Sequence, residues 1–521
     1  MMLGLAKRLA ASGVRPAGRG RMATFPAPVG GLNLKDSIAD MDPLDALILD
    51  NYTPESNHLQ LRRGSEAWAT GITGNVDTVA EWSGPAGRKL KAINAAGSIF
   101  DVSSAGAVGA AEVTGLNNGR FQAAMMATSG GHFLVICNGA DDVRNYDGTA
   151  WTAPAITGVA SSELIQVVTH KNRLWFVQAG TTKAWYLAVN SIAGAATELD
   201  LGPQFRLGGK LQIIVSLSRD AGDGADDFLA FVSSRGEAAV YQGTDPSTAA
   251  TWALVGRYRM GVPIGNRPSI NVGGDAILIS QDGIVSMTQM IDLDRSAAYK
   301  ASVTNRIDDA FSDAFLLYGS NFGWQAIAYP KQHYALINIP VGAAESWQYV
   351  MNTQTGAWCR FKGQNARCWS LYGDDLFFGL AGGVHKADTG SSDNGANIVG
   401  DIKTSFQYFG APGVNKHFKL IRPMVVSNGN PGIAIRLVMD FADEMPDIND
   451  IFGQTVVSTS LWDVALWDVG TWGASEDVYR HWLSTFGLGT AAAVRVRTQT
   501  NNVAIRFNSF DAIYEKSGMA L

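Results

Sequence analysis

Apolar residues along this chain come in short bursts, each stopped by Gly, Asp, Asn or a small polar residue before it could build a helix of ordinary length. Seven segments share one form: a run of β-formers, a turn, and a second run. They begin at Lys91 (KAINAAGSIFDV), Phe133 (FLVICNGADDVRNY), Leu174 (LWFVQAGTTKAWYL), Phe228 (FLAFVSSRGEAAVY), Ala276 (AILISQDGIVSM), Tyr334 (YALINIPVGAAESWQYVM) and Leu376 (LFFGLAGGVHKA). Each predicts a β-hairpin, because the middle residues accept turn geometry and the flanks favour a pleated surface. Successive starts lie 41 to 58 residues apart. One hairpin per roughly 40–50 residues is the spacing of β-propeller blades, whereas a sandwich array gives turns every 8–12 residues or so and no longer period. Two further stretches, Asn145 (NYDGTAW) and Asn352 (NTQTGAW), match in Asn, Ala and Trp around a Gly turn and predict a hairpin tip followed by a Trp-led strand.

Helical spacing is scarce. Asp42 (DPLDALILDN) predicts a short helix, with Asp42 as N-cap, Pro43 in the first turn and Leu44, Leu47 and Ile48 on one face. Ile307 (IDDAFSDAFLLY) predicts a second, behind Thr304 or Asn305, with Ile307, Phe311, Ala314, Phe315 and Tyr318 on one side. The propeller pattern stops at a Gly, Ser, Asn and Asp cluster from Asp388 (DTGSSDNGAN), which predicts a linker. Past it, the runs at Ile402 (IKTSFQYF), Ile433 (IAIRLVMDF), Ala493 (AVRVRTQ) and Val503 (VAIRFNSF) alternate with period two, as half-buried antiparallel strands do. The expected architecture is all-β: a propeller of about six to eight blades and a C-terminal β-rich platform domain, with few short helices. Its parts are a flexible basic extension (1–22), an N-terminal arm packing on the platform (23–70), the propeller (71–390) and the platform (391–521). Translation from Met22 is an alternative start.

At 521 residues the chain is too long for one ordinary core, which agrees with two or more domains. Its net charge of −6 argues against a protein that grips nucleic acid by its phosphates, yet suits a passage through which DNA slides without sticking. Cys137, Cys359 and Cys368 have neither paired nor metal-ligand spacing; they predict small buried hydrophobes of a chain made in a reducing cytoplasm. No apolar run approaches the roughly 18 residues of a membrane span.

Chemistry is hard to find in the pattern. The seven histidines are scattered, and no P-loop, dinucleotide-binding or GxSxG motif occurs. Neither catalytic nor metal-ligating residues are expected, nor a cofactor, and the chain is read as a non-enzyme. Two acidic stretches, Asp220, Asp223 and Asp226, and Asp443, Glu444, Asp447 and Asp450, lack EF-hand spacing and predict solvated loops, with calcium the competing reading. Trp462, Trp467 and Trp472 stand five apart; they are candidate subunit-contact residues, against the alternative of aromatics packed beneath a loop.

Several of these stretches, taken in order, resemble one family. The arm from Pro28 (PVGGLNLKDSIADMDPLDALILDNYTPESNHLQLRRGSE) looks like the opening of the tail nozzle proteins of short-tailed bacteriophages, the tail tubular protein B type. Similar too are Lys171 (KNRLWFV), Ser280 (SQDGIVSM), Tyr349 (YVMNTQTGAWCRF), Gly382 (GGVHKADTGSSDNG), the Trp462–Asp463, Trp467–Asp468 and Trp472 series, and the closing Tyr514 (YEKSGMAL). The resemblance spans nearly all of 23–521; the basic extension departs from it. It implies a virion component of the tail, a homohexameric ring that closes the portal and adaptor channel and conducts genomic DNA on ejection. Expected partners are the adaptor (the head-to-tail connector), tail fibre or tailspike proteins, and DNA passing without sequence recognition. A carbohydrate- or receptor-binding tail propeller, depolymerising or not, is the alternative; it would need a carboxylate pair flanked by aromatic platforms.

Overall fold

The computed structural model describes residues 20–220, 225–265, 267–272, 274–292, 304–446 and 476–519. Within them the chain is almost wholly β, with helices at Met287–Asp292 and Asp308–Tyr318 and a few single 3-10 turns. Ile307, Phe311 and Ala314 are the buried face of the longer helix.

The period-two runs pair as hairpins around a common axis in a five-blade propeller arrangement. Three blades are complete four-stranded antiparallel sheets, over 122–152, 164–200 and 211–259, and a fourth has three strands within 269–286. The fifth is a six-stranded sheet in which Cys368–Tyr372 and Asp375–Ala387 join Ser65–Gly84, Gly87–Asn94 and Ile99–Asp101. Five blade sheets correct the expected six to eight, because two of the seven repeats do not make sheets of their own. Tyr334–Pro340 and Ser346–Asn352 belong to a nine-stranded sheet that runs on into other parts of the chain. The segment from Leu376 is one strand rather than a hairpin: it pairs with 368–372 at one end and with 65–75 at the other. Gly382 and Gly383 lie where it changes partner. Gly382 has a φ of +89°, and a Cβ on Gly383 would stand 2.1 Å from the Ala69 carbonyl oxygen, so the two strands could not meet with a side chain there.

Strands from both ends of the chain interleave beyond the blades. A seven-stranded sheet sets Val414–Ser427 against Ile505–Met519, and Ile505–Met519 also takes Arg21–Pro26 and Leu59–Leu61, the latter followed by Tyr52–Pro54. Arg21 and Met22, expected outside the fold, thus begin a paired strand. In the nine-stranded sheet, Asp45–Asp50 sits between Trp358–Phe361 and Ile398–Thr404, followed by Ala492–Thr500 and Ile433–Met439. The helix expected from Asp42 is therefore this strand. A bulge between Ala46 and Ile48 breaks the alternation, and the buried apolar residues are Ala46 and Leu49 instead of the expected face: Leu44 is exposed and Leu47 and Ile48 are half-buried. One continuous apolar core unites the layers: Leu49 and Tyr52 from the arm, Phe311 and Trp324, Tyr349 and Trp358, and Phe418, Phe507 and Phe510 from the last strands.

Candidate functional site

Three features of this architecture bear on function: the seam where strands from both ends of the chain interleave, an open sheet edge, and the propeller axis.

Paired charges line the seam. Asp50 takes two hydrogen bonds from Arg360, at 2.7 and 3.0 Å. Arg62 donates to both oxygens of Asp393, at 2.9 and 2.6 Å, and its Nε donates to Asn51 Oδ1 at 2.8 Å. Arg495 holds Asp401 through Nε and Nη2 at 3.1 and 2.9 Å. The fork of a guanidinium fits a carboxylate in one plane, so each pair fixes the angle between two segments as well as their distance. The Arg62 side chain is 2% exposed, and Asp393 lies in the stretch read as a linker. That stretch is a crossing pinned by a buried ion pair.

The seven-stranded sheet has an open edge. Leu483–Gly489 pairs with 416–421 and, among the described residues, has no strand on its other side. Phe486 and Leu488 on this strand, and Trp482 just before it, are exposed; Phe486 is 83% exposed, with its ring edge-on to His417 at a centroid distance of 5.3 Å. An unpaired edge carrying large apolar side chains is a surface suited to a partner chain. The expected contact residues Trp462, Trp467 and Trp472 lie outside the described residues.

On the axis is a cavity of about 510 Å³, lined by one strand from each repeat unit. Neighbouring lining strands splay too far apart to pair, and side-chain amides bridge them. Gln166 Nε2 donates to the Ile214 carbonyl at 3.0 Å while its Oε1 accepts from the Ile214 N–H at 2.7 Å. Gln325 does the same with Trp369, at 2.7 and 2.9 Å, and Gln212 donates to the carbonyls of Pro263 and Gly265. The sequence carries the signal: an apolar residue, Gln and two apolar residues recur as FQAA at 121–124, IQVV at 165–168, LQII at 211–214 and WQAI at 324–327. Hairpin scanning misses it because the signal precedes each hairpin.

His170 completes the contact between two of these strands, with Nδ1 2.8 Å from Ser216 Oγ. Burial first, and the Lys171 charge second, push its pKa from the usual 6.5 down to about 4. The folded chain therefore keeps the ring neutral where an unfolded chain would bind a proton. The stability this group contributes is whole above about pH 6.5 and is lost as pH falls towards 4. Urea unfolding should show a loss of about 2 kcal/mol near pH 5 from this residue, and His170→Gln should flatten that part of the pH profile.

The remaining candidates are structural in their surroundings. Cys137, Cys359 and Cys368 are buried, and burial holds their thiols above the usual range. Asp443 bonds Lys403 and Arg495, and Glu444 pairs with Arg436. Asp223, Asp447 and Asp450 lie outside the described residues, as do the side chains of Asp220 and Asp226. Among the described residues no group of His, Cys, Asp and Glu has the arrangement of a metal site.

No family model matches the chain, and no curated protein does. Solved structures do. The WD40 β-propeller domain of Doa1 aligns over 62% of this chain and 96% of its own, at 10% identity and a TM-score of 0.38. The Myceliophteria thermophila Cps50 (Swd1) β-propeller domain aligns over 61% and 99%, at 13% identity and 0.40. These likenesses concern fold alone.

Proposed function

We propose that this chain is a non-enzymatic structural subunit of the tail of a short-tailed bacteriophage, forming a ring-shaped nozzle that closes the adaptor channel and conducts DNA on ejection. The observation that carries this reading is the seam. Strands from both ends of the chain are woven into shared sheets, bidentate ion pairs tie neighbouring strands of the nine-stranded sheet, and Arg62 pins the crossing at Asp393. Such a body transmits force instead of hinging, which suits a part that must hold a pressurised genome. The order of family-like motifs from Pro28 to Tyr514 supplies the identity of the structure it serves. The C-terminal strands and the arm act as the platform that meets neighbouring copies, and six copies close the ring by a heterologous contact. Its partners are the adaptor, the fibres or tailspikes, and DNA that slides past an acidic protein.

Negative-stain imaging and light scattering of the purified chain, alone and with its adaptor, test the reading. A ring with an axial hole is the expected result, and a chain that stays monomeric with the adaptor present overturns it. The exposed edge gives a sharper check. Phe486→Asp should leave the monomer folded, because that side chain is exposed, and should weaken ring assembly by about a hundredfold in concentration.

A further inference from the structure

One end of the propeller axis carries an excess of positive charge that the assembly reading does not use. Arg120, Arg267 and Arg367 stand immediately before the strands Gln122–Thr128, Ser269–Val272 and Cys368–Tyr372. The topology therefore brings together residues far apart in sequence. All three guanidiniums gather over the ring of Phe322, with centroid distances of 4.6, 5.8 and 5.8 Å. Among the described residues they share a single carboxylate, Asp77. It accepts from Arg367 Nε at 2.7 Å and lies 3.9 Å from Arg120 Nε. Arg267 spends its donors on neutral acceptors: the Asp77 and Phe121 carbonyls and the Thr78 hydroxyl. Three positive charges thus face one negative charge.

Beside them opens a cavity of about 380 Å³, separate from the axial one but sharing Arg267 as a wall. It is lined by Arg120, Arg267 and the 319–324 turn, and contains no carboxylate. The helix Asp308–Tyr318 ends at this turn, yet its last carbonyls do not neutralise the arginines. Phe315 accepts from Gly319 N–H, and Tyr318 from Asn321 N–H and Trp324 Nε1. A concave site with two arginine walls, an aromatic floor and uncompensated charge is complementary to an oxyanion.

We infer that this cavity binds a small oxyanion ligand, a phosphate or carboxylate compound of a size that fits the pocket. Arg120 is the adjustable contact, because its side chain is 55% exposed and its link to Asp77 is long. Arg267 is the fixed wall, held by its bonds to the Asp77 and Phe121 carbonyls and the Thr78 hydroxyl. Ligand binding would tie together the segments before Gln122–Thr128 and Ser269–Val272 and so stiffen that end of the axis.

The test is calorimetric titration of the full chain with inorganic pyrophosphate and, in parallel, citrate, at low salt. Saturable binding is expected for at least one of them below about 1 mM, falling about tenfold in Arg120→Gln while thermal unfolding of the free chain stays unchanged. The tighter of the two identifies the phosphate or the carboxylate source. A salt-matched titration with sodium chloride separates a site from general ionic effects. Absence of saturable binding up to about 10 mM overturns the inference, as does equal affinity in wild type and Arg120→Gln. Neither result bears on whether the chain assembles into rings, which is read by imaging.

Discussion

Replacing Arg62 by Ala should lower the free energy of unfolding by about 3–5 kcal/mol, the cost of leaving one half of a buried ion pair without its partner. The side chain is 2% exposed and meets four partners at once: Asp393 through both terminal nitrogens, Asn51 through Nε, and the Arg63 and Lys362 carbonyls at 3.0 and 2.8 Å. Without it, Asp393 keeps a charge in a poorly solvated place, and the Asn51 side-chain oxygen loses a donor. Arg62→Lys should recover little, since an ammonium cannot fill the planar fork. Urea unfolding gives the single-variant cost. A double-variant cycle with Asp393→Ala should show a coupling of about 2 kcal/mol or more, because the second deletion removes the stranded charge. Additive effects would mean that the pair does not act as a unit.

The second large effect is expected in the apolar interior. Trp175→Ala should cost about 3–5 kcal/mol, as for other large aromatic deletions in a packed core. Trp175 is 1% exposed and touches Tyr186, Trp252 and Phe231, with ring centroids 4.9, 5.5 and 5.6 Å away. Tyr241 extends the series by stacking on Trp252 at 5.4 Å. These rings come from two neighbouring blades, so the cavity left by the deletion would fall between blades and not within one. Chemical unfolding measures the loss, and the near-ultraviolet circular dichroism of the coupled indoles should fall with it. Trp175→Phe, which keeps a ring in the slot, should cost less than half as much.

Much of the blade region was legible because a hairpin is a local object: alternation and turn residues sit within a dozen positions of each other. Asn145 to Trp151 and Asn352 to Trp358 form hairpin tips, each with a Trp-led return strand at Trp151 or Trp358. What escaped was decided at long range. Asp45–Asp50 resembled a helix because Asp42, Pro43 and the spacing of Leu44, Leu47 and Ile48 fit a helix start, and only its partners Asp401 to Thr404 make it a strand. Leu376 to Ala387 looked like one more hairpin since its Gly-rich middle suits a turn, yet the middle serves a change of partner. Blade number could not be counted from repeats, because a repeat can be absorbed by a larger sheet. The charged seam was illegible in the same sense: Arg62 and Asp393 are ordinary loop residues until the fold brings them together.

The pairing of the first described strand with the last has a consequence for how the chain is made. Thr24 donates its hydroxyl proton to Asp511, 487 residues further along. On a ribosome, Thr24 therefore emerges 487 residues before its partner. The blades over 122–259 can close from local hairpins as they appear, whereas Arg21–Pro26 and the outer edge of Leu59–Leu61, itself already paired with Tyr52–Pro54, wait as open strand edges. Such edges are sites of mispairing between nascent chains. The slowest and most vulnerable step of folding is then the capture of the arm by Ile505–Met519, a contact of extreme sequence separation. Until that strand is made, the chain is a finished propeller with loose threads.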